Sequence, residues 1–441
     1  MGYRVAVRLL RRNPRRAALA GAAALAVAVA VAVPLTVAHR GGGGAGSAGR
    51  PTVPATAGSL AAATPTATQS ATPSASATAP ASPSATPTAR VTPRPATPTP
   101  PPPGCPAASG TPPAGTLAVN FPTALAFAPD GRLFWSERRG TIRVLQGGVA
   151  RAFATVATVT TEPGGGYSER GLLGLALSPS FAADHYVYAF YDLTDRVHQD
   201  IVRFTDCGGV GTAVRTLVQL PSGSDCCHKG GRLAFGPDGK LYATLGDEHD
   251  APVAQDRGDV RGKVLRYNAD GSIPADNPFG GAVYAYGLRN PFGIAFNPSG
   301  TLLVTNNGPS GDAGTGTSGY DTVTTVVRGG AYQWPYCYGY DHVNTGGGYT
   351  SCGGQHSPDW SSEAPPAIVP TGATWVDAAG PAAYAGHFVF CAYSDGRARI
   401  LTPGSPHATV TLGAGGCGLG LVEGPDHALY LADSGHITRV G

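Results

Sequence analysis

From about residue 115 to the C-terminus, short runs of alternating apolar and polar residues recur in pairs. A tight polar turn joins the two runs of each pair, and a longer loop leads to the next pair. The first pair spans 124–134 and has Pro129-Asp130-Gly131 at its turn. Alternation with a period of two is typical of a β-strand with one buried face, and these turn residues supply the backbone dihedrals of a hairpin. Each pair therefore predicts a β-hairpin.

The hairpin pattern occurs six times, with the spacing of a repeated structural unit. Five copies carry a turn proline, namely Pro129, Pro179, Pro237, Pro298 and Pro425. The widest interval between prolines holds a degenerate copy that starts at 374. Strand repeats of this length are typical of β-propellers. We predict an all-β fold, a six-bladed β-propeller over 114–441, whose last blade is completed by the segment 116–121. The alternative, a plain β-sandwich, would not require a recurrent turn.

The first 113 residues differ in composition from the rest and contain neither Asp nor Glu. Arginines precede an uncharged, Ala/Val-rich run at 17–38, which is long enough to span a bilayer as a helix. We predict a signal or transmembrane segment over 1–40 and a Ser/Thr/Pro-rich disordered linker over 41–113. The length of the apolar run favours an uncleaved anchor over a cleaved signal peptide. The propeller is thus expected to be extracytoplasmic, membrane-anchored or secreted, and to meet the membrane only through its N-terminal segment.

Charge is unevenly divided along the chain. The formal net charge of +3 comes from the N-terminal arginines, since all 28 acidic residues lie beyond residue 113 and outnumber the basic residues there. A mildly acidic folded domain argues against nucleic acid as a partner, because binding phosphates requires a basic surface.

Eight cysteines in a chain predicted to be exported favour disulfide bonds. We predict the pairs Cys337–Cys352 and Cys391–Cys417.

Cys226 and Cys227 are adjacent and directly precede His228. They either close a strained eight-membered ring with each other or each pair with a distant cysteine, for example Cys105 or Cys207. Because strained bridges are uncommon, the distant pairing is favoured.

Between the repeats lie segments rich in glycine and in hydrogen-bonding side chains. They are ERGLLG (169–174), DCCHKGGRL (225–233), 262–279, YGLRNPFG (286–293), NNGP (306–309), GYD (319–321) and GGAYQWP (329–335). In order and spacing they resemble the soluble PQQ-dependent glucose/sorbosone (aldose sugar) dehydrogenase family. The resemblance extends over about 115–441 and is densest from 167 to 335. It implies oxidation of an aldose to its lactone, with hydride transfer to the quinone of PQQ beside a calcium ion.

By this resemblance His228 is the general base that removes the hydroxyl proton of the sugar. Imidazole suits the task because its ordinary pKa of about 6.5 lies near the working pH. Arg289 is implied as a second catalytic group, which contacts quinone and sugar oxygens and stabilises developing negative charge. The alternatives are a histidine hydrogen-bonded at a blade edge and an arginine paired to a blade carboxylate.

The resemblance also implies which residues hold the cofactor, the metal and the substrate. The PQQ contacts are Arg289, Asn290, Asn307 and Asp321, the Ca²⁺ ligands are the backbone carbonyls of Gly308 and Pro309, and the substrate contact is Glu169. Asn307 and Glu169 depart from the residues that are usual in the family.

The cations expected around PQQ are missing from their usual places. PQQ carries carboxylates, and burying them requires several Lys or Arg side chains. The family has such residues in its last two blades, whereas this chain has no lysine beyond Lys263 and reads GGCGLG at 415–420. Arg397 and Arg399 either replace these charges or, as we expect, are solvated surface residues. Lys229 is a further candidate cation.

Two other functions are alternatives to the sugar dehydrogenase. One is a non-catalytic, calcium-binding propeller that has lost PQQ, as in the related hedgehog-interacting proteins. The other is a calcium-dependent, lactonase-like hydrolase, which needs converging carboxylates. The candidates for those carboxylates are Glu169, Asp247 and Asp321. For the dehydrogenase, the expected partner is a small-molecule sugar.

Overall fold

Antiparallel β-strands make up almost all the regular structure of residues 104–441, the part of the chain that the computed structural model describes. The strands are β1 (Thr116–Ala118), β2 (Pro122–Phe127), β3 (Leu133–Glu137), β4 (Thr141–Gln146), β5 (Val149–Thr155), β6 (Leu172–Leu177), β7 (Tyr186–Asp192), β8 (His198–Asp206), β9 (Gly211–Pro221), β10 (Leu233–Phe235), β11 (Leu241–Leu245), β12 (Lys263–Tyr267), β13 (Val283–Tyr286), β14 (Asn290–Phe296), β15 (Leu302–Asn307), β16 (Thr322–Val326), β17 (Cys337–Tyr338), β18 (His342–Val343), β19 (Trp360–Ser361), β20 (Pro370–Trp375), β21 (Phe388–Ala392), β22 (Arg397–Thr402), β23 (Thr409–Gly415), β24 (Gly420–Glu423), β25 (Leu429–Ala432) and β26 (His436–Val440).

Helical structure is limited to three short elements in this range. They are the one-turn helix α1 (Phe181–Asp184) and the 3₁₀ turns Ala251–Gln255 and Thr345–Gly347. None of the helices in the described range has the length and apolar character needed to cross a membrane. The predicted signal or transmembrane segment and most of the predicted linker lie outside the described residues.

The strands form six four-stranded antiparallel sheets, which are the blades of a β-propeller. Blade 1 consists of β2–β5, blade 2 of β6–β9, blade 3 of β10–β13, blade 4 of β14–β16 with β19, blade 5 of β20–β23, and blade 6 of β24–β26 with β1. The separate hairpin β17–β18 interrupts blade 4. The innermost strands β2, β6, β10, β14, β20 and β24 contact one another in a closed ring. The predicted all-β, six-bladed architecture is confirmed.

Blade 6 closes the ring by combining the two ends of the domain. Its outermost strand is β1, which pairs antiparallel with β26 so that Thr116 is opposite Thr438 and Ala118 opposite His436. The predicted completion of the last blade by the segment 116–121 is therefore correct. This pairing joins the two ends of the domain by backbone hydrogen bonds within one blade.

The hydrophobic core lies between neighbouring blades. In blade 1, the rings of Phe134 and Phe153 meet edge-on at a centroid distance of 5.3 Å. Phe134 also meets Phe181 of blade 2 at 6.0 Å. Val187 of β7 belongs to the same buried cluster. Burying one such side chain stabilises a fold by about 1.5–3 kcal/mol. The alternating pattern in the sequence is thus needed for the blades to pack.

The two ends of the propeller carry different features. In blade 3, β10 starts shortly after His228 and β11 ends shortly before Asp247. Because β10 and β11 are antiparallel, these two residues lie at the same end of the blade. The turn at 237–239 that joins the two strands lies at the opposite end. We call the end with His228 the site face and the end with the hairpin turns the lower face.

Residues 104–113 are attached at the lower face. Cys105 forms a disulfide with Cys207 in the β8–β9 turn, and the Gly110 N–H donates to the Asp130 carbonyl in the β2–β3 turn at 3.0 Å. In antiparallel blades both of these turns lie at the end opposite His228. The chain therefore enters the propeller on the side away from the site face.

Candidate active site

His228 stands at a sharp bend just before β10. Its φ of 56° lies in the left-handed region, which histidine adopts more readily than most residues. Gly246 lies against this bend, and a Cβ at that position would overlap the His228 carbonyl. The close approach that glycine permits brings the end of β11, and with it Asp247, next to His228.

The imidazole of His228 is oriented by a buried carboxylate. His228 is 4% exposed, and its Nδ1 lies 2.5 Å from Oδ1 of Asp247. Trp334 donates from Nε1 to the other carboxylate oxygen at 2.6 Å. With Nδ1 held by Asp247, Nε2 is the ring nitrogen left to accept a proton.

The pKa of His228 is lowered from its usual value. Burial disfavours the charged ring, and the positive charge of Arg289 adds to this effect. The hydrogen bond and negative charge of Asp247 act in the opposite direction without reversing the shift. His228 is therefore neutral near pH 7, which is the form that a general base requires.

Arg289, at the entrance to β14, is buried and ion-paired. Its Nε donates to Oδ2 of Asp312 at 2.9 Å and its Nη2 to Oδ1 of Asp312 at 3.0 Å. The same guanidinium donates to the Ser310 hydroxyl at 2.7 Å. Burial opposes ionisation of Asp312, but Arg289 outweighs it and holds the pKa of that carboxyl at about 2. Arg289 is thus bound by an anion from its own chain.

Glu169 and Asn290, which the sequence assigns to substrate and cofactor, meet between blades 2 and 4. The side-chain amide of Asn290 donates to Oε2 of Glu169 at 3.2 Å. Lys229 donates its backbone N–H to the same oxygen at 3.2 Å, and Asn290 accepts from Gly230 N–H at 3.3 Å. The segment that follows His228 is therefore bound to both residues.

Asp321 acts as an anchor for backbone rather than as an open ligand. Its Oδ1 accepts from Gly308 N–H at 2.9 Å, and its Oδ2 accepts from Ile368 N–H at 2.7 Å and Val369 N–H at 3.2 Å. Burial raises the pKa of Asp321, and these hydrogen bonds oppose the shift. Asp321 therefore fixes the position of the 307–309 segment.

The expected calcium segment offers oxygens of two kinds. The Pro309 carbonyl accepts from Gly319 N–H at 3.0 Å. Oδ1 of Asn307 is buried and lacks a hydrogen-bond partner in the described part of the chain. An orphaned buried oxygen is costly unless a cation or a donor satisfies it. This segment therefore fits a hard cation or a cofactor donor.

Comparison with known proteins gives matches over most of the described range. The Glucose / Sorbosone dehydrogenase family model matches residues 119–437. The chain is 36% identical to quinoprotein glucose dehydrogenase B of Acinetobacter calcoaceticus over 261 residues, which are 50% of this chain and 52% of that protein. It is 31% identical to aldose sugar dehydrogenase YliI of Escherichia coli over 241 residues, 49% of this chain and 59% of that protein.

The chain belongs to the glucose/sorbosone dehydrogenase family. It spans about half the length of the curated relatives it matches. Its fold is similar to the PQQ-bound form of aldose sugar dehydrogenase from Streptomyces coelicolor, with a TM-score of 0.58 and 27% identity. That match covers 75% of this chain and 99% of the Streptomyces chain. The predicted family membership is therefore correct.

Lys229 was a candidate cation for the PQQ carboxylates. Its side chain points away from the site. Its Nζ lies 2.9 Å from Oε1 of Glu248 and also donates to Ser222 and to the Gly223 carbonyl. The ammonium is completely buried in this pair. Lys229 therefore neutralises a carboxylate of its own chain.

Arg397 and Arg399 in blade 5 are also occupied. Arg399 donates to both carboxylate oxygens of Asp395, at 3.1 and 2.9 Å, and is buried rather than solvated, which corrects the sequence expectation. Arg397 is exposed, as expected, and its Nη2 donates to the Gly413 carbonyl at 2.9 Å.

Arg138 of blade 1 is a cation that the sequence analysis overlooked. It donates to backbone carbonyls and has no carboxylate partner among the described residues.

Cys226 and Cys227 form a disulfide with each other, so the favoured distant pairing was wrong. The physical reason is that Cys105 and Cys207 are joined at the lower face, away from the site face. The adjacent-cysteine ring thus directly precedes His228.

The other two disulfides agree with the sequence predictions. They are Cys337–Cys352 and Cys391–Cys417.

The carboxylates proposed for a lactonase do not converge. Glu169 binds Asn290, Asp247 binds His228, and Asp321 binds backbone N–H groups. The two clusters with metal-ligand geometry in residues 104–441 contain none of these carboxylates.

Sequence reasoning missed three contributors to the site. Asp247 was considered only as a lactonase ligand, although its place after a strand on the site face could have indicated a partner for His228. Asp312 lies in a Gly/Ser/Thr-rich loop without a motif. Trp334 lies between β16 and β17, in the segment that interrupts blade 4, and its role depends entirely on a contact with Asp247 across 87 positions.

Proposed function

We propose that this propeller is an extracytoplasmic, PQQ-dependent oxidoreductase that oxidises an aldose to its lactone, with His228 as the general base. The observation that carries the proposal is the buried, neutral His228 oriented by Asp247 at 2.5 Å. Arg289, Asn290 and Glu169 lie around it on the same face. Family membership supports the same chemistry.

His228 has the properties needed to remove the anomeric hydroxyl proton. Its lowered pKa keeps Nε2 unprotonated near pH 7, and Asp247 holds the ring and stabilises it once it is charged. General-base catalysis contributes about 10²–10⁴-fold to a rate. Glu169 and Asn290 would orient the sugar and the cofactor beside this base.

The residues at the reacting end fit the proposed cofactor. Asn290, Asn307 and Arg289 would contact PQQ, and the backbone carbonyls of Gly308 and Pro309 would bind Ca²⁺. The buried amide oxygen of Asn307, which has no partner in the described residues, lies in the same segment. When bound, PQQ would accept the hydride of the sugar. Asp312 competes with any cofactor oxygen for Arg289, so we expect weak cofactor binding.

A second function, a propeller that has lost PQQ, is favoured by one observation. In the described residues, the cations Arg289, Lys229 and Arg399 are each paired with a carboxylate. A trianionic cofactor would have to displace such partners.

Reconstitution separates the two functions. The purified chain is mixed with PQQ and Ca²⁺ and assayed for aldose-dependent reduction of a dye, while PQQ binding is measured by equilibrium dialysis. The dehydrogenase predicts activity that His228→Ala reduces at least 100-fold, with circular dichroism unchanged. His198→Ala is the matched control, because His198 has a similar contact with Asp195 at the start of β8 and forms no hydrogen bond with His228, Arg289 or Asn290 in the described residues. Absence of both activity and PQQ binding would favour the non-catalytic propeller.

The extracytoplasmic location is a separate part of the proposal. The four disulfides in the described residues support it, because disulfides form and persist in oxidising compartments. An alkaline phosphatase fused after residue 113 should be active in cells, since that enzyme needs an oxidising compartment to fold. An inactive fusion that is present at normal levels would contradict an extracytoplasmic propeller.

A further inference from the structure

A second histidine lies directly against the ring of His228. The centroids of His228 and His249 are 3.8 Å apart and the planes are tilted by 56°. One ligand atom from each of His228, His249 and Asp312 lies within 4.8 Å of the other two. The proposed dehydrogenase mechanism does not use His249.

We propose that His228, His249 and Asp312 form a binding site for a borderline divalent transition metal such as Zn²⁺ or Co²⁺. Two imidazoles and one carboxylate are a common ligand set for these ions. Three protein ligands leave coordination positions open to water or a small molecule. The ion would sit at the site face, above the general base.

The surroundings of the three ligands strengthen the assignment. Nδ1 of His228 is held by Asp247 at 2.5 Å, and Nδ1 of His249 is held by Asp225 at 2.8 Å. Both pairs leave Nε2 as the ligand atom. Ligating histidines usually have such a carboxylate on the other nitrogen, because it fixes the ring and strengthens the ligand.

Arg289 plays the corresponding role for the third ligand. It donates to both oxygens of Asp312 at 2.9 and 3.0 Å, which holds the carboxylate in place. Oδ1 also accepts from the Ser310 N–H at 2.8 Å. Oδ2 accepts only from Arg289 among the described residues, so it keeps a lone pair for an ion. All three candidate ligands are thus positioned by contacts of their own.

This site is distinct from the proposed calcium site. Calcium would be bound by hard oxygens of the 307–309 segment, whereas the new site offers two nitrogens. Zn²⁺ and Co²⁺ prefer the nitrogen set. An ion on Nε2 of His228 would also remove the proton acceptor, so, given the proposed function, the metal would inhibit oxidation of the sugar.

Cobalt absorption tests the site without any enzyme assay. The purified full-length chain, free of PQQ, is titrated with Co²⁺, and visible d–d absorption is recorded before and after addition of Zn²⁺. We expect one equivalent of Co²⁺ with absorption stronger than that of aqueous Co²⁺, displaced by Zn²⁺. His249→Gln should weaken Co²⁺ binding at least tenfold, and Asp312→Asn should weaken it about tenfold.

His198→Gln is the matched control, because it removes a histidine with a carboxylate partner that has no second histidine beside it. Its Co²⁺ affinity should stay within twofold of the wild type. No strong absorption in the wild type, equal affinity in His249→Gln, or equal loss in His198→Gln would each overturn the proposal. Circular dichroism establishes that the variants are folded.

Activity provides a second, separate readout. In reconstituted enzyme, Zn²⁺ should inhibit the wild type at a concentration at least tenfold lower than it inhibits His249→Gln. Equal sensitivity would contradict the link between the metal and the base. If reconstitution yields no activity, the dehydrogenase proposal fails, while the Co²⁺ titration still decides the metal site.

Discussion

The two halves of the site face are built differently. On blades 2–4, Glu169, His228, Arg289 and Asn290 lie close together and contact one another's segments across blade boundaries. On blades 5 and 6, the places where the family resemblance implies cations hold the buried Cys391–Cys417 disulfide and two arginines with partners. The first half has the proposed catalytic groups, and the second has residues with structural partners.

Because of this difference, removal of the sugar proton and binding of the cofactor would depend on separate groups of residues. A neutral histidine with a carboxylate partner needs only two residues, and both are present on blade 3. A site that binds the several carboxylates of PQQ needs positively charged side chains from several blades, and these must not already be paired with carboxylates of the chain. The propeller therefore has the proposed base without a complete set of positive charges around it, and each half can be tested by itself.

The largest expected effect is on the base. Asp247→Asn replaces the carboxylate beside His228 Nδ1 with a neutral amide that can also present an N–H. It should lower kcat by about 10²-fold or more, because the tautomer and orientation of the ring are no longer fixed and the charged ring loses its negative partner. The pKa of His228 is already lowered by burial, so the acid limb of kcat/KM should lie below about pH 6.5. Asp247 raises that pKa, so its removal should move the limb to still lower pH. A pH profile with an unshifted limb would contradict the assigned pair.

The next effect concerns stability on blades 5 and 6. Cys391→Ala with Cys417→Ala opens a loop closed over 26 residues and should lower the free energy of unfolding by about 2–4 kcal/mol. Urea denaturation measures this loss. PQQ affinity per folded molecule should be unchanged, since the disulfide lies in the hydrophobic core. A tenfold loss of PQQ affinity would instead place the disulfide in the cofactor site.

A smaller effect, on PQQ affinity, is expected at Arg289, which would contact both the sugar and the cofactor. Asp312→Asn removes the negative charge that binds this guanidinium and should tighten PQQ binding about tenfold, equivalent to about 1.4 kcal/mol. Equilibrium dialysis measures the change, and Ser310→Ala is the control for loss of a neutral contact. Weaker PQQ binding in Asp312→Asn would mean that the ion pair positions Arg289 for the cofactor.

The smallest effect is expected from the blade 5 arginines. Arg397→Gln with Arg399→Gln should change PQQ affinity less than twofold, because one side chain is exposed and the other is paired with Asp395. Arg138→Gln removes a cation without a carboxylate partner in the described residues and should weaken binding at least threefold. If the blade 5 double variant weakened PQQ binding more than Arg138→Gln did, blade 5 would be shown to supply the cations that bind PQQ.

Much of the fold followed from local patterns. The hairpins predicted around Pro129 and Pro237 are β2–β3 and β10–β11, because alternation and turn chemistry act within about ten residues. The closing strand β1 was also predicted, as the segment 116–121 that completes the last blade. The pairing of Cys226 with Cys227 was predicted wrongly, because the partners of Cys105 and Cys207 depend on how residues 104–113 run across the lower face.

The sequence by itself determined six hairpins, the family and the segment that carries His228, since each depends on short-range order along the chain. Only the tertiary structure decided which charged side chains are paired with an opposite charge. Arg289 meets Asp312 and Lys229 meets Glu248 through contacts that no motif encodes. Asp247, His228 and His249 become neighbours because antiparallel strands bring separate loops to one face. Electrostatic pairing acts over a few ångströms in space, and distance along the chain does not reveal it.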